Sequence, residues 1–422
     1  MRVAYITAGA AGMYCGSCIH DNALAAALSR RDADVVLIPT YTPLRTDEEN
    51  VSLDRVFYGG VSIFLQQQWS FFRRTHRFFD RVLDSPFLIR TLARFGSSTN
   101  ARDLGPLTVS ILAGEEGNQQ KELTRLVAWL QRDFKPDVIQ LTNAMFVGMA
   151  RQLKAQLGVP VLCALQGEDL FLDGLVEPHK SQALDTLRQR AQDIDAFIAP
   201  CEYYQEHMAA YLQIPRTKIH VVPLGLNLTG HGQEPPPTDG PYKIGYLARI
   251  CPEKGFHLLV KEQPEFASLR LEAAGYLSAY DKPYFAEQVQ KIRRWGLADS
   301  FTYYGEVDRR KKIRFLSSLH VFSVPSVYAD PKGLSILEAL ANGIPVIQPN
   351  HGAFPELIAA TGGGLLVTPD SPKILANELA ALLRDENRRR QLGQTGQEAV
   401  HRRFHADAMA AGTLAVYEQY VV

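Results

Sequence analysis

Cysteine is scarce in this chain: five in 422 residues, an odd number running from Cys15 to Cys251. A disulfide framework is therefore not expected, because disulfide-built domains carry dense, even sets. Cys15-Gly16-Ser17-Cys18 falls at an expected helix N-terminus, where thiol pKa values drop. No second pair accompanies it to complete a zinc tetrahedron. These cysteines read as packing residues at a tight turn, with redox control as the alternative. An excess of either charge is also lacking. Lys plus Arg and Asp plus Glu each number 45, so no global field draws in nucleic acid. Long apolar runs are absent as well, and nothing approaches the ~20 residues of a spanning helix. Met1–Gly9 holds a short apolar run without the charged start of a signal peptide and reads as a buried strand. The expected compartment is the cytoplasm.

What is present is a globular composition, 46% hydrophobic and 21% charged, at a length that favours two domains. Short apolar runs alternate with helical patterns. Strands are predicted at Val3–Thr7, Val35–Pro39, Val138–Leu141, Val161–Ala164, Ala196–Ala199 and His220–Pro223. A second set covers Lys243–Leu247, Arg270–Ala274, Phe301–Tyr304, Val321–Val324 and Pro345–Gln348. Helices fit between them, among them Asn22–Arg31, Lys121–Arg132 and Pro331–Asn342. Continuous apolar strands alternating with helices imply α/β architecture with parallel sheets covered on both faces. The Gly/Pro-rich stretch 230–240 reads as a linker. It separates a first domain, 1–229, from a second, 241–405, and ligands of such sheets bind at the carboxyl ends of the strands. No solenoid-period repeat is present.

The most informative segment runs from Ala329 to Val346: Ala-Asp-Pro-Lys-Gly-Leu-Ser-Ile-Leu-Glu-Ala-Leu-Ala-Asn-Gly-Ile-Pro-Val. It passes from a strand end into a helix. Asp330 precedes the turn, Gly333 lets backbone amides approach a ligand, and the helix N-terminus offers a phosphate site. Glu338 lies five residues into the helix, roughly 7.5 Å along its axis. A carboxylate one ribose-length beyond a diphosphate suits ribose hydroxyls, so the segment reads as a nucleotide-sugar site.

That segment resembles the donor motif of the family-4 retaining glycosyltransferases, Glu-Pro-x-Gly-Leu-x-x-x-Glu-Ala-x-Ala-x-Gly-x-Pro-Val. Asp330 stands where the family has its first Glu, and Gly352–Leu357 resembles the motif's continuation. The resemblance implies the GT-B fold, two Rossmann-like domains with parallel sheets facing a central cleft. The first domain would hold the acceptor and the second the nucleotide sugar, with helix 406–422 crossing back onto the first. It also implies retention of configuration, no metal and no cofactor beyond the co-substrate, a nucleoside diphosphate sugar, with UDP-sugar favoured. Asp330 would orient sugar hydroxyls and Glu338 the ribose.

Gly245-Tyr-Leu-Ala-Arg249-Ile-Cys-Pro-Glu-Lys254-Gly255 resembles the family's Gly-Arg-Leu-x-x-x-Lys-Gly element. Arg249 and Lys254 match its phosphate-contacting pair. A departing diphosphate gains negative charge that fixed cations stabilise, Arg with a fork and Lys as a point charge. Gly245, Gly305, Val307, Lys332, Gly333, Leu334 and Ser335 are further donor-binding candidates. In the loop Ala8–Cys18, Gly16 matches a family Gly-Gly that touches donor phosphates, while Cys15 replaces the other glycine. Acceptor-side candidates are Gly12, His20, Gln166, Glu168 and Asp169. Gln166 stands where related enzymes often have His, and it cannot act as an acid or base near neutral pH. Glu168 and Asp169 read equally as acceptor contacts or helix caps.

Between Val61 and Gly105, phenylalanines and Trp69 interleave with arginines from Arg73 to Arg94. The stretch reads as helices shaping an acceptor pocket, or alternatively as a peripheral contact with the inner membrane face. Expected partners are a nucleotide-sugar donor and a small-molecule, glycan or lipid-linked acceptor, with no nucleic acid. A nonhydrolysing sugar-nucleotide epimerase and a catalytically retired nucleotide-sugar-binding protein are the alternatives.

Overall fold

A computed structural model describes residues 1–9, 13–57, 101–238, 240–261 and 269–421. Gly12 and the aromatic–basic stretch from 61 to 100 lie outside the described residues. Two compact units form, Met1–Pro223 with Asp407–Val422, and Leu224–Ala406.

The first unit is built on six parallel strands: β1 (Arg2–Thr7), β2 (Asp34–Pro39), β3 (Val138–Leu141), β4 (Val161–Ala164), β5 (Ala196–Ala199) and β6 (Ile219–Val221). Their order is β2-β1-β3-β4-β5-β6. β3, β4 and β5 are buried at every position, as a parallel sheet covered on both faces requires. Tyr5, Ile6, Leu28, Leu37, Phe146 and Phe197 fill the core. Strand order reverses between β1 and β3, so the connections after them diverge and leave a crevice at their carboxyl ends.

Helix Gly16–Ser29 follows β1 and starts six residues before the predicted Asn22. Gln120–Trp129 is extended by a π-helical turn, Leu130–Phe134, that closes on Lys135 in the left-handed region. The helix Ala406–Tyr417 belongs to this unit apart from its first residue. Met409, Val416 and Tyr417 are buried there, Arg30 holds Asp407 at 2.7 Å, and the Tyr420 hydroxyl meets His220 at 2.9 Å.

The second unit repeats the plan with β7 (Tyr242–Leu247), β8 (Leu269–Ala274), β9 (Phe301–Tyr303), β10 (Val321–Phe322), β11 (Val346–Pro349) and β12 (Gly364–Val367). The order is β12-β11-β10-β7-β8-β9, all parallel, with the reversal between β7 and β10. Strand β12 was not among the predicted strands. The stretch expected as a linker is part of this unit: His231 is buried against Asn342, and the Gly232 amide donates to the same side chain at 3.1 Å.

Candidate active site

The loops leaving β7 and β10 lie side by side at the second sheet's reversal. Gly255 takes a φ of +70°, and a Cβ there would sit 1.8 Å from the Pro325 carbonyl oxygen. Only glycine lets the loops approach this closely, and the Val327 amide locks them by donating to the Glu253 carbonyl at 2.9 Å. That contact brings Lys254 onto Asp330 in a direct ion pair. The ammonium also lies 4.9 Å over the Tyr328 ring, and the Lys332 amide donates to Asp330 Oδ1 at 3.0 Å. Burial opposes charge on Asp330, but Lys254 and the Lys332 amide outweigh it and hold the carboxyl below the usual range. Burial likewise opposes the Lys254 charge, and Asp330 and Tyr328 more than compensate, raising its pKa.

Gly333 precedes helix Leu334–Ala341 with a φ of +63°. A Cβ there would come 2.4 Å from Leu357 Cδ1. Neither Leu334 nor Ser335 has an i−4 carbonyl within the helix, so their amides point out of its N-terminus. Arg249 is exposed on the same loop as Lys254, its Nε 3.4 Å from Cys251 Sγ, and the Tyr246 hydroxyl lies 3.2 and 3.4 Å from the Arg249 and Lys254 carbonyls. One locus therefore collects Arg249, Lys254, Asp330, Lys332, Gly333, Leu334 and Ser335: three long cations, a carboxylate and a helix N-terminus.

Glu338 lies further along the helix and is already engaged. Its Oε1 accepts from Lys312 Nζ at 2.5 Å, and both side chains are largely buried. Gly305, after β9, has a φ of +69° with open space where a side chain would project, and its carbonyl accepts from the Gly275 amide at 2.8 Å. Val307 is buried beside that loop's end. Gly245 stands apart from the loops. It lies inside β7, and a Cβ there would be 2.0 Å from Leu319 Cδ1, so its smallness serves packing.

The first unit's reversal is organised differently. Asp21, fully buried on helix Gly16–Ser29, collects five donors. Tyr5 Oη at 2.6 Å, Gln166 Nε2 at 2.9 Å and His20 Nδ1 at 3.1 Å meet its Oδ1. The hydroxyls of Thr7 and Thr142 meet Oδ2, each at 2.6 Å. His20 and Gln166, both predicted acceptor-side residues, are thus joined through Asp21, and Gly16 opens the same helix. Glu168 and Asp169 are not side-chain caps. Glu168 folds back onto the amides of Ala144 and Gln166 at 2.8 and 2.6 Å, and burial raises its pKa against those two bonds. Asp169 accepts from the Tyr204 hydroxyl at 2.7 Å and from His207 at 3.1 Å. All five cysteines are free thiols.

Sequence reading missed Asp21, Thr142, Tyr204, His207, Lys312 and Tyr328. Lys312 carried one usable signal, its i, i+3, i+4 spacing to the apolar Phe315 and Leu316 within an otherwise charged helix. Among the described residues no cluster of three or more His, Cys, Asp or Glu is arranged to hold a metal, and no helix is long and apolar enough to cross a membrane.

Two Rossmann-like units of this topology define the GT-B fold. Sucrose-phosphate synthase from Thermosynechococcus elongatus superposes with a TM-score of 0.72 at 20% identity, covering 99% of this chain and 98% of that one. HepE of Anabaena, solved in complex with UDP, gives 0.68 at 16% identity over 99% and 100%. At these identities the likeness is one of fold. Residues 20–225 match the family described as "Glycosyl transferase 4-like domain", and residues 231–399 match "Glycosyl transferases group 1". The chain belongs to the GT-B glycosyltransferases of family 4. A GDP-mannose-dependent alpha-(1-6)-phosphatidylinositol monomannoside mannosyltransferase of Mycobacterium tuberculosis is 32% identical over 171 residues, 39% of this chain and 44% of that protein. The match thus spans under half of that relative. Alpha-maltose-1-phosphate synthase of Mycolicibacterium smegmatis is 28% identical over 309 residues, 66% of this chain and 78% of that enzyme.

Proposed function

We propose that this protein transfers a hexosyl group from a nucleoside diphosphate sugar to a hydroxyl acceptor, with retention of configuration and without a metal ion. The observation that carries the reading is the locus at the β7/β10 reversal, where the Lys254–Asp330 pair sits at the helix starting after Gly333 and Arg249 stands on the same β7 loop as Lys254. A diphosphate there meets Arg249, whose fork takes two phosphate oxygens. It also meets the ammonium of Lys254, which has three donors and spends one on Asp330. The helix amides face the same charge. These groups balance the charge that grows on the leaving diphosphate as the glycosidic bond lengthens, the role a divalent cation fills elsewhere. Retention follows if the acceptor attacks from the leaving-group face and a diphosphate oxygen takes its proton. Asp330 orients the sugar hydroxyls.

Relatives named for GDP-mannose, and structural neighbours holding UDP, make both nucleotides the donors to try. The test is thermal shift with UDP, GDP and ADP, with and without chelator, followed by turnover of the matching sugar nucleotide. Stabilisation follows RT ln(1 + [L]/Kd), so ~1 mM ligand at a Kd near 10 μM contributes about 2.7 kcal/mol. A chelator-insensitive response to one nucleotide, lost in Arg249→Ala, is expected. Turnover that survives Arg249→Ala and Lys254→Ala unchanged would sink the assignment. Acceptor-independent conversion of one sugar nucleotide into its epimer would point instead to an epimerase.

A further inference from the structure

Lys312 is a buried cation that the proposed reaction does not use directly. It sits on helix Arg309–Ser317, with Phe315 and Leu316 on the same inward face, and its side chain is only 8% exposed. Arg310, Lys311 and Arg314 on that helix point to solvent, as its charge would suggest. Burying an ammonium costs several kcal/mol before its partner compensates, and a methionine of similar length would pack without that cost. A buried ion pair is therefore poor evidence for a stabilising role and better evidence for a geometric one.

The geometry names its object. Lys312 Nζ binds Oε1 of Glu338 at 2.5 Å, while no described residue engages Oε2. The helix that carries Glu338 is anchored at its other end by Asn342. That side chain donates to the Glu338 carbonyl at 2.8 Å and meets buried His231 at 2.9 Å. The backbone of Glu338 and one of its oxygens are thus both held, which leaves the second oxygen for a ligand.

We infer that Lys312 is a positioning residue for nucleotide selection: by holding Oε1 it presents Oε2 of Glu338 to a ribose hydroxyl, making the site selective for ribonucleotides over 2′-deoxyribonucleotides. This rests on the nucleotide-sugar reading above. Without Lys312 the carboxylate swings among rotamers, and the bond to the sugar hydroxyl loses its preorganised acceptor.

The test is calorimetric titration of the full chain with UDP and 2′-deoxy-UDP, and with GDP and 2′-deoxy-GDP. A hydrogen bond to a charged group corresponds to about tenfold, or ~1.4 kcal/mol, in a binding constant. The natural protein should prefer the ribonucleotide by about tenfold or more. Lys312→Met should bring that ratio to within about threefold, and Lys312→Arg should restore most of it. A role confined to stability would lower the melting temperature and leave the ratio alone, which overturns the inference. The double variant Lys312→Met with Glu338→Gln leaves no unpaired buried charge and keeps the test open should the single variant fail to fold. If Lys312 acts through Glu338, the double variant has the ratio of Glu338→Gln alone. A further fall in the double variant means that Lys312 acts elsewhere. If no nucleotide binds the natural protein, the nucleotide-sugar reading itself has failed. If one binds but the ratio starts near unity, that reading stands and only this inference falls.

Discussion

The two sheets share one topology, each reversing its strand order beside a central strand, yet their reversal points are chemically unlike. At the first, one carboxylate is surrounded by hydroxyls, an amide and an imidazole: Tyr5, Thr7, Thr142, Gln166 and His20 all turn to Asp21. At the second, carboxylates are matched by ammonium groups, Asp330 by Lys254 and Glu338 by Lys312. Among the described residues no Lys or Arg joins the Asp21 cluster, whereas the second point gathers Arg249, Lys254 and a helix N-terminus. Topology supplies a crevice in both, and side-chain charge decides what enters it. On the function proposed above, the second crevice is the one that takes the diphosphate.

Removing the cation at the second point should break that contrast most severely. Lys254→Met leaves Asp330 buried and unpaired, a change that costs about 3–5 kcal/mol. Turnover should fall by roughly 10²–10³, the usual loss when a preorganised charge-stabilising donor is removed. Adding Asp330→Asn should recover most of the stability, read from a denaturant midpoint, without recovering turnover. Recovery of both would mean that the pair is only structural.

The same contrast marks the limit of what the sequence reveals. Strands β3, β4 and β5 were predicted with the boundaries observed, because short buried strands between turn residues have one sensible reading. β12 was missed because Gly364-Leu-Leu-Val follows two further glycines and resembles a loop until β11 is there to pair with it. Helix Gly16–Ser29 starts at the Cys15–Cys18 turn, as the placement of that turn at a helix N-terminus implies, while the apolar period is legible only from Asn22 because Gly16, Ser17 and Cys18 show none, although Cys18 is buried. At the candidate site, Arg249, Lys254, Asp330 and Glu338 were legible as local motifs. Lys312 was not, since it sits in a run of five basic residues within six that reads as a solvated face. Asp21 was invisible for another reason: its partners Thr142 and Gln166 lie 121 and 145 residues away in sequence.

The first point can be broken at its centre. Asp21→Asn replaces an acceptor for five donors with a group that must itself donate. Net bonds to a charged group contribute about 1.5–3 kcal/mol each, and the hydroxyls can reorient, so a loss near 3 kcal/mol in unfolding free energy is expected. Acid should expose the same dependence. Burial opposes charge on Asp21, but the bonds from His20, Thr142 and Thr7 prevail and hold its pKa below the ordinary 3.8. Its contribution is present above that value and is lost as pH falls through the lower folded pKa. Asp21→Asn should therefore flatten the acid limb of a stability–pH curve, and an unchanged limb would refute the role.

A milder comparison lies inside the first unit, where Asp169, like Asp21, has a histidine at 3.1 Å but is less deeply buried. His207 donates to Asp169 at 3.1 Å, with side-chain exposures of 35% and 14%. The Asp169 bond raises the His207 pKa above 6.5 despite partial burial. That stabilisation is complete below 6.5 and disappears as pH rises through the folded value. Asp169 supplies the opposite limb: burial opposes its charge, His207 and Tyr204 prevail, and its pKa falls below 3.8. Its share is present above 3.8 and is lost as pH drops through the folded value. The pair should thus give a plateau between those limits, with a decline on the alkaline side above 6.5. Partial exposure and screening reduce the effect to about 0.5 kcal/mol. His207→Gln keeps a donor but cannot titrate, so its melting temperature should lose the alkaline slope above pH 6.5. Curves that stay parallel across that window would remove His207 from the pH response and leave the ring contacts with Tyr203, Tyr204 and Tyr211 as its whole contribution.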